Sequence, residues 1–182
     1  MDEKKGYSIN RVHRLTIKWS RPILLDSLTR ENHKKYLDCG WYYITRKWGN
    51  TEKALYIGKA RGDIISRVLQ HTEDDSNNAY LKKRGKKYVR IGTVCSPSIN
   101  TKSKISSHYH LDRFLKTIES ELIQFAHPIS NISQDKTYTR WYKFCINNIN
   151  IDRNLLSHII ENRDEINVIP NPDWWNGQLE DI

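Results

Sequence analysis

The chain has 182 residues, of which 37% are hydrophobic and 28% charged, and this composition excludes a protein that is disordered along its whole length. No apolar run reaches the roughly 18 residues that a membrane-spanning helix needs, and the N-terminus lacks the apolar stretch of a secretory signal. We therefore expect a cytoplasmic protein with no membrane partner. The three cysteines, Cys39, Cys95 and Cys145, are too widely spaced for a metal knuckle and are expected to be buried.

The net charge of +9 is unevenly distributed along the chain. Residues 151–182 contain two basic and seven acidic residues, so residues 1–150 carry a net charge of +14. A positive field of this kind attracts polyanions and raises the rate at which they bind. The charge favours nucleic acid as a partner, with a merely soluble basic protein as the alternative.

The first 36 residues predict one strand and one helix. Residues 9–19 alternate apolar and polar side chains, as a strand does, and Pro22 stands where a helix over 22–36 could begin. We interpret residues 1–36 as an N-terminal extension.

A β-hairpin followed by a helix is predicted next. Residues 41–47 and 53–58 are rich in aromatic and branched side chains and flank a Gly-Asn turn signal. Residues 63–72 then place apolar side chains at helical spacing, and Asp63 is positioned to cap the helix.

The second half of the chain predicts a strand, a loop and two helices. Residues 86–94 alternate as a strand, whereas 95–107 are polar and basic and predict a flexible loop. Apolar side chains repeat at helical spacing over 108–126, and Pro128 ends that pattern. Residues 152–162 predict a short helix.

Five short motifs follow one another in order between residues 40 and 131. They are Gly40-Trp41-Tyr42, Tyr56-Ile57-Gly58 followed by Lys59, Arg67 with His71, Glu119 with Leu122-Ile123, and Pro128 with Asn131. In this order and spacing they resemble the motifs of the GIY-YIG nucleases, with Trp41 in place of the usual isoleucine. The resemblance covers half of the chain. It implies an α/β fold with a small three-stranded mixed or antiparallel sheet flanked by helices.

The resemblance also implies a division of the chain into three parts. Residues 1–36 form the N-terminal extension, 37–135 form the nuclease core with an insert over 72–107, and 136–182 form a C-terminal extension packed on the core. We expect target choice to reside in the extensions or in the insert.

Hydrolysis of a phosphodiester needs an activated water, neutralised phosphate oxygens and help for the leaving oxygen. The resemblance makes Glu119 the ligand of a single Mg²⁺ or Mn²⁺ ion, and a hard carboxylate suits such an ion. Glu121 points to another helix face and is expected to be a solvated charge. Arg67 offers a planar fork for two phosphate oxygens, and His71 lies one helical turn later on the same face.

Tyr42 and Tyr56 are implied to stand beside the same phosphate, and by resemblance Tyr42 orients or deprotonates the attacking water. A free phenol has a pKa near ~10, so a tyrosine base would need its pKa lowered by about 3 units at neutral pH. Lys59, Arg67 and the metal ion could supply much of that shift, with His71 taking the proton.

Each of these residues also has a purely structural interpretation. Tyrosines in hairpins usually pack, a single glutamate on an amphipathic helix usually faces solvent, and Asn131 after a proline is usually a turn residue. The joint occurrence in order favours the site. We expect Asn131 to fix the geometry of the glutamate helix, and Gly58 to be a position where no Cβ is tolerated beside the substrate.

Seven basic residues are predicted to contact DNA phosphates and to set the salt dependence of binding rather than its sequence preference: Lys82, Lys83, Arg84, Lys86, Lys87, Lys102 and Lys104. A zinc site at His108 and His110 is disfavoured because no third ligand is in view. Trp174 and Trp175 either stack on bases or pack back on the domain.

The sequence thus predicts a metal-dependent endonuclease that hydrolyses double-stranded DNA, with a site-specific type II restriction-like enzyme as the first hypothesis. A symmetric target would favour a homodimer, and a restriction system would include a cognate methyltransferase. The alternatives are a non-catalytic nucleic-acid-binding member of the family and a repair, mobile-element or RNA-directed nuclease.

Overall fold

The computed structural model describes residues 13–73, 81–82, 84–95, 108–131 and 144–161. In chain order, the elements in these ranges are β1 (His13–Trp19), β2 (Ile23–Leu24), 3-10 helices Leu25–Ser27 and Lys34–Tyr36, β3 (Gly40–Trp48), β4 (Thr51–Ala60), α1 (Ile64–Glu73), β5 (Lys86–Val94), α2 (His108–Ala126), β6 (Phe144–Ile149) and β7 (Ile159–Glu161). Within these ranges, no helix is long and apolar enough to cross a membrane.

The strands form one mixed sheet in the order β4-β3-β5-β1-β6-β7, and β2 also pairs with β5. The pairing of β1 with β6 is parallel, and the other pairings are antiparallel. The α/β class is as predicted, but the sheet has seven strands among the described residues, more than the three that were expected. It is extended because β1, β6 and β7 add buried residues such as Ile17, Ile146 and Ile160 to the same core.

Both faces of the sheet are covered, because side chains alternate between the faces along a strand. From β3, Trp41 and Tyr43 pack into the core that includes α2, whereas Tyr42 and Ile44 pack into the core that includes α1. The two helices therefore lie on opposite faces. The same alternation sends neighbouring residues of the first motif to different sides.

The hairpin and the helices that flank it match their predicted positions. The turn between β3 and β4 has two residues, and Gly49 at its first position has a φ of 57°, as a type II′ turn requires. Asp63 caps α1, since the backbone N–H of Ser66 donates to its carboxylate at 2.9 Å.

The predicted α-helix over 22–36 is wrong. Residues 23 and 24 form β2, and the two 3-10 helices occupy much of the rest. The reason is tertiary: β1 pairs only with residues 92–94 of β5, so the same edge remains open at Tyr88 and Val89 for β2 to pair with.

The predicted helix over 152–162 is also wrong. The backbone N–H of Asn148 donates to the carbonyl of His158 at 2.6 Å, and β7 pairs with β6. Ile159 is exposed and Ile160 is buried, which is the alternation of a strand at the surface of a sheet.

Two predictions of burial are wrong as well. Cys95 is exposed, and Cys39 and Cys145 are half-buried, so none of the three is a core residue. Glu121 is only 1% exposed, although it was expected to be solvated. Glu121 lies on the buried side of α2, next to the buried Leu122.

Candidate active site

A cleft of about 720 Å³ lies at the β4 end of the sheet, where residues of β3, β4, α1 and α2 meet. Five of the residues singled out in the sequence line it: Tyr42, Tyr56, Lys59, Arg67 and Glu119. The loop 61–63 and the α1 residues Ser66 and Gln70 complete the wall. Side chains from four separate elements therefore face one open space.

The other predicted site residues lie elsewhere. His71 packs against the rings of Tyr42 and Tyr56, and Asn131 is hydrogen-bonded to Ile57, so neither lines the cleft. Lys82, Arg84, Lys86 and Lys87 lie in or just before β5 and do not line the cleft. The remaining residues singled out in the sequence lie outside the described residues or have no described side chains: Lys83, Lys102, Lys104, His108, His110, Trp174 and Trp175.

Asn131 and Glu119 are both hydrogen-bonded to the free edge of β4. Asn131 accepts a hydrogen bond from the backbone N–H of Ile57 at 2.9 Å, and its amide donates to the Ile57 carbonyl at 2.9 Å. Further along the same edge, the backbone N–H of Lys59 donates to the Glu119 carboxylate. Asn131 thus ties the chain that follows α2 to the strand that also holds Glu119.

Trp41 connects β3 to the glutamate helix from the other side. Its indole N–H donates to the carbonyl of Leu115 at 3.0 Å, and its ring lies 6.1 Å from that of Phe114. Glu119 follows Leu115 by one helical turn. Trp41 therefore helps to position α2.

The two phenols of the cleft stack on one another. The rings of Tyr42 and Tyr56 lie 5.9 Å apart, and a hydrogen bond joins their hydroxyls. The His71 ring packs 4.4 Å from Tyr56 and 6.3 Å from Tyr42. Tyr42 is only 1% exposed, so Tyr56 is the more accessible phenol.

Gly58 is required by the phenol of Tyr42. A Cβ at position 58 would lie 2.4 Å from the hydroxyl oxygen and from the ring carbon Cζ of Tyr42. The tight approach is therefore internal to the protein. This replaces the expectation that the substrate excludes a side chain there.

Tyr56 remains protonated at neutral pH. Burial raises the pKa of its phenol, the charge of Glu119 raises it further, and Tyr42 and Arg67 lower it only in part. The direction is opposite to the one that a tyrosine base needs, so Tyr56 is not suited to replace Tyr42 as the expected base. Tyr56 is thus suited to donate a hydrogen bond.

Glu119 is 7% exposed, and its carboxylate is poised near neutrality. Burial raises the pKa of Glu119 to about 7, with the Lys59 ammonium acting against the shift and Asp112 adding to it. A buried carboxylate of this kind is stabilised in its ionised form by a nearby cation.

The three cations at the cleft differ in their partners. Lys59 pairs with Asp112, and Arg61 pairs with the same carboxylate at 2.8 Å. Arg67 donates to the side-chain carbonyl of Gln70 at 2.9 Å and forms no ion pair with the described carboxylates. Its guanidinium is therefore the cleft cation whose charge is not neutralised by one of them.

Asp112 was missed in the sequence. It lies seven residues before Glu119 on α2, which is two helical turns, so both carboxylates face the same way. That spacing was a usable signal, but the motifs did not include Asp112.

Three comparisons with known proteins found no matching family model, curated protein or solved structure. The functional interpretation of the cleft therefore depends on its own geometry and on the motif resemblance.

A hydrated Mg²⁺ or Mn²⁺ ion fits the donor set of this cleft. Among the described residues there is no cluster of three or more His, Cys, Asp or Glu side chains. Glu119 supplies one hard oxygen ligand at an open cleft, and Mg²⁺ commonly binds through one or two carboxylates and keeps several waters. Glu119 is the residue that would hold the ion.

Proposed function

We propose that this protein is a metal-dependent endonuclease that hydrolyses phosphodiester bonds of double-stranded DNA. One observation carries the proposal: an arginine unpaired with the described carboxylates and a buried carboxylate line the same cleft, with two phenols beside them. Within the nucleases, we propose a site-specific restriction-like enzyme that acts as a homodimer and operates with a cognate methyltransferase.

Arg67 binds the scissile phosphate. Its planar fork donates two parallel hydrogen bonds to non-bridging oxygens and neutralises charge that grows in the transition state. It extends from α1 into the open part of the cleft, where a phosphate can reach it.

Tyr56 orients the reacting groups by donating its hydroxyl hydrogen, because its raised pKa keeps the phenol neutral. Tyr42 holds the hydroxyl of Tyr56 through their shared hydrogen bond. His71 packs against the ring of Tyr56 and restricts its position. These three residues set the direction from which a water molecule approaches the phosphorus.

Glu119 is the metal ligand. When bound, a divalent ion supplies Lewis-acid stabilisation of the phosphate charge and lowers the pKa of coordinated water. Lys59 and Asp112 position the carboxylate, since the backbone of Lys59 donates to it and the Lys59–Asp112 pair lies beside it.

The test is conversion of supercoiled plasmid to nicked and linear forms, with Mg²⁺ or with EDTA. We expect the unmodified chain to cleave the plasmid in Mg²⁺ and not in EDTA. The variant Glu119→Gln should lose at least about 100-fold in rate, as expected when charge stabilisation at a reacting phosphate is removed. The matched control is Glu31→Gln, because Glu31 is an exposed carboxylate outside the cleft.

Three outcomes separate the alternatives. Binding of plasmid without metal-dependent cutting would replace the nuclease by a non-catalytic binding module. Faster cutting of RNA than of DNA in the same assay would replace the substrate. Cut ends that scatter over the plasmid would remove the restriction-like part of the proposal.

A further inference from the structure

The hairpin end of the sheet, far along β3 from the cleft, carries cations around an exposed tryptophan. We call this the hairpin surface and define it as Arg46, Lys53, Lys87, Trp48 and Arg84. Arg46 lies opposite Lys53 on β4 and opposite Lys87 on β5, so the three cations form a row across three strands on one face. Trp48 is two residues beyond Arg46, on the same face, and is 59% exposed.

The charges of the row are not neutralised by the described part of the chain. None of its ion pairs includes Arg46, Lys53 or Lys87, and the buried Nε of Arg46 has no hydrogen-bond partner there. The nearby Glu52 lies on the opposite face and pairs with Arg90 at 2.5 Å. Like charges directly opposite one another destabilise a sheet, so a bound polyanion would relieve a cost that this arrangement imposes.

The chain before β5 comes close to the end of β3 that carries Trp48. Gly85 has a φ of 113°, and a Cβ there would lie 2.8 Å from the carbonyl oxygen of Lys47 and 3.4 Å from the indole of Trp48. Only glycine permits this approach. Arg84, the residue before Gly85, is exposed.

An exposed aromatic ring among cations is suited to an unpaired polynucleotide strand. The cations bind phosphates, and the ring stacks on a base. In a duplex the base faces are already stacked on one another and cannot receive the indole. The combination therefore favours unpaired nucleotides over a continuous duplex.

The hairpin surface lies within reach of a polymer in the cleft. Trp48 follows Tyr42 by six residues on β3, which is about 20 Å along an extended strand. That span corresponds to about six nucleotide steps in a fully stacked strand and to fewer in an extended one. Tyr42 and Trp48 also project from the same face of β3.

We propose that the hairpin surface binds an unpaired nucleic-acid segment, with consecutive phosphates on the cation row and one base stacked on Trp48. The inference rests on the proposed function only in taking this segment to belong to the DNA that enters the cleft. The binding itself requires no cleavage and no metal ion.

Fluorescence anisotropy of the full chain in EDTA tests it, with a labelled 20-nucleotide DNA strand, an RNA strand of the same sequence and a blunt DNA duplex. We expect Trp48→Ala to weaken binding of the single strand at least about tenfold and that of the duplex less than twofold. Trp48→Phe keeps an aromatic ring and should retain most of the affinity. A tighter complex with the RNA strand would assign the segment to RNA while leaving the site in place.

The cation row is tested through the salt dependence of single-strand binding. Replacing Arg46, Lys53 and Lys87 by glutamine should reduce the slope of log affinity against log salt by about 2, as three lost phosphate contacts predict. The matched control replaces Lys18, Lys34 and Arg153, which are exposed cations outside the row, and should leave the slope nearly unchanged.

Equal losses on duplex and single strand for Trp48→Ala, or equal changes in slope for the two triple variants, would overturn the hairpin surface. The plasmid assay separates the two proposals. Trp48-dependent binding without any cutting would rule out the nuclease function and retain the hairpin surface. Cutting without Trp48-dependent binding would rule out the hairpin surface and retain the nuclease function.

Discussion

Tyr42 and Tyr56 occupy different environments even though their rings stack. Tyr42 is enclosed, and its ring lies over the backbone of Gly58, whereas Tyr56 is half-buried and faces the cleft that Glu119 and Arg67 also line. The accessible phenol is thus the one that can touch a substrate. Because its phenol stays protonated, Tyr56 can donate a hydrogen bond to the substrate.

The variant Tyr56→Phe tests that role. The ring and its packing against Tyr42 and His71 are retained, so the fold should be kept, at a cost of about 1 kcal/mol for the lost hydrogen bond with Tyr42. The lost donor should lower the cleavage rate by about 100-fold, the usual effect of removing one aimed hydrogen bond. Single-turnover cleavage of plasmid measures the rate, and Tyr88→Phe, outside the cleft, is the control. A loss below threefold would show that the hydroxyl does not act.

Glu119 makes folding stability depend on pH. Its folded pKa of about 7 lies above the ordinary value of 4.5. The stabilisation is therefore fully present below pH 4.5 and is lost as the pH rises towards 7. The loss should be about 3 kcal/mol in EDTA.

Urea unfolding from pH 4.5 to 8 checks this expectation. In Glu119→Gln the pH dependence should be correspondingly smaller, because that side chain does not titrate. Mg²⁺ should restore stability near pH 8 in the unmodified chain by binding the ionised carboxylate. A pH profile that is identical in the two proteins would contradict the assignment.

At the level of elements, the site depends on the free edge of β4. The chain after α2 is hydrogen-bonded to Ile57, and Glu119 is hydrogen-bonded to the backbone at Lys59, so one strand edge positions two separate parts of the chain. Pairing of this edge also covers backbone groups that would otherwise remain open.

The variant Gly58→Ala should disturb both β4 and the phenol of Tyr42. Its Cβ would overlap the Tyr42 ring, so we expect a loss of about 1–3 kcal/mol in unfolding free energy, as for overpacking elsewhere, and a lower cleavage rate. Gly62→Ala is a matched control in the cleft wall, because no atom lies within 4 Å of its added Cβ. Urea unfolding measures both variants, and equal stability of the two would contradict the close approach.

For the whole molecule, the proposed cleavage of double-stranded DNA requires that two strands be cut. A symmetric target is met most simply by a two-fold dimer in which each subunit cuts one strand. Mixing the unmodified chain with excess Glu119→Gln should then yield nicked circles in place of linear plasmid. Gel analysis of the products checks this. Unchanged formation of linear product at the same active-chain concentration would indicate monomers that cut in succession.

The parts of the fold that were predicted correctly are those governed by local chemistry. The turn residues of the β3–β4 hairpin, the capping aspartate of α1 and the apolar periodicity of α2 act over a few residues, so the sequence reveals them directly. The five motif residues that line the cleft were predicted from the resemblance of their order and spacing to the nuclease motifs. Their convergence on one cleft is a tertiary observation.

The remaining features are decided by partners that are distant in sequence. β2 exists because β5 has an open edge, β7 because β6 offers one, and Lys59 is engaged because Asp112 reaches it from α2. The direction of the Tyr56 pKa shift likewise follows from burial and from Glu119.

By itself, the sequence determined the helix-forming and strand-forming segments around the motifs and drew attention to the five motif residues that line the cleft. Only the tertiary structure decided the size of the sheet, the pairing of cations with carboxylates and the protonation state of the phenol. The physical reason is that periodicity, capping and turn chemistry act between neighbours along the chain. Strand pairing, desolvation and ion pairing act between groups that meet only in the folded protein.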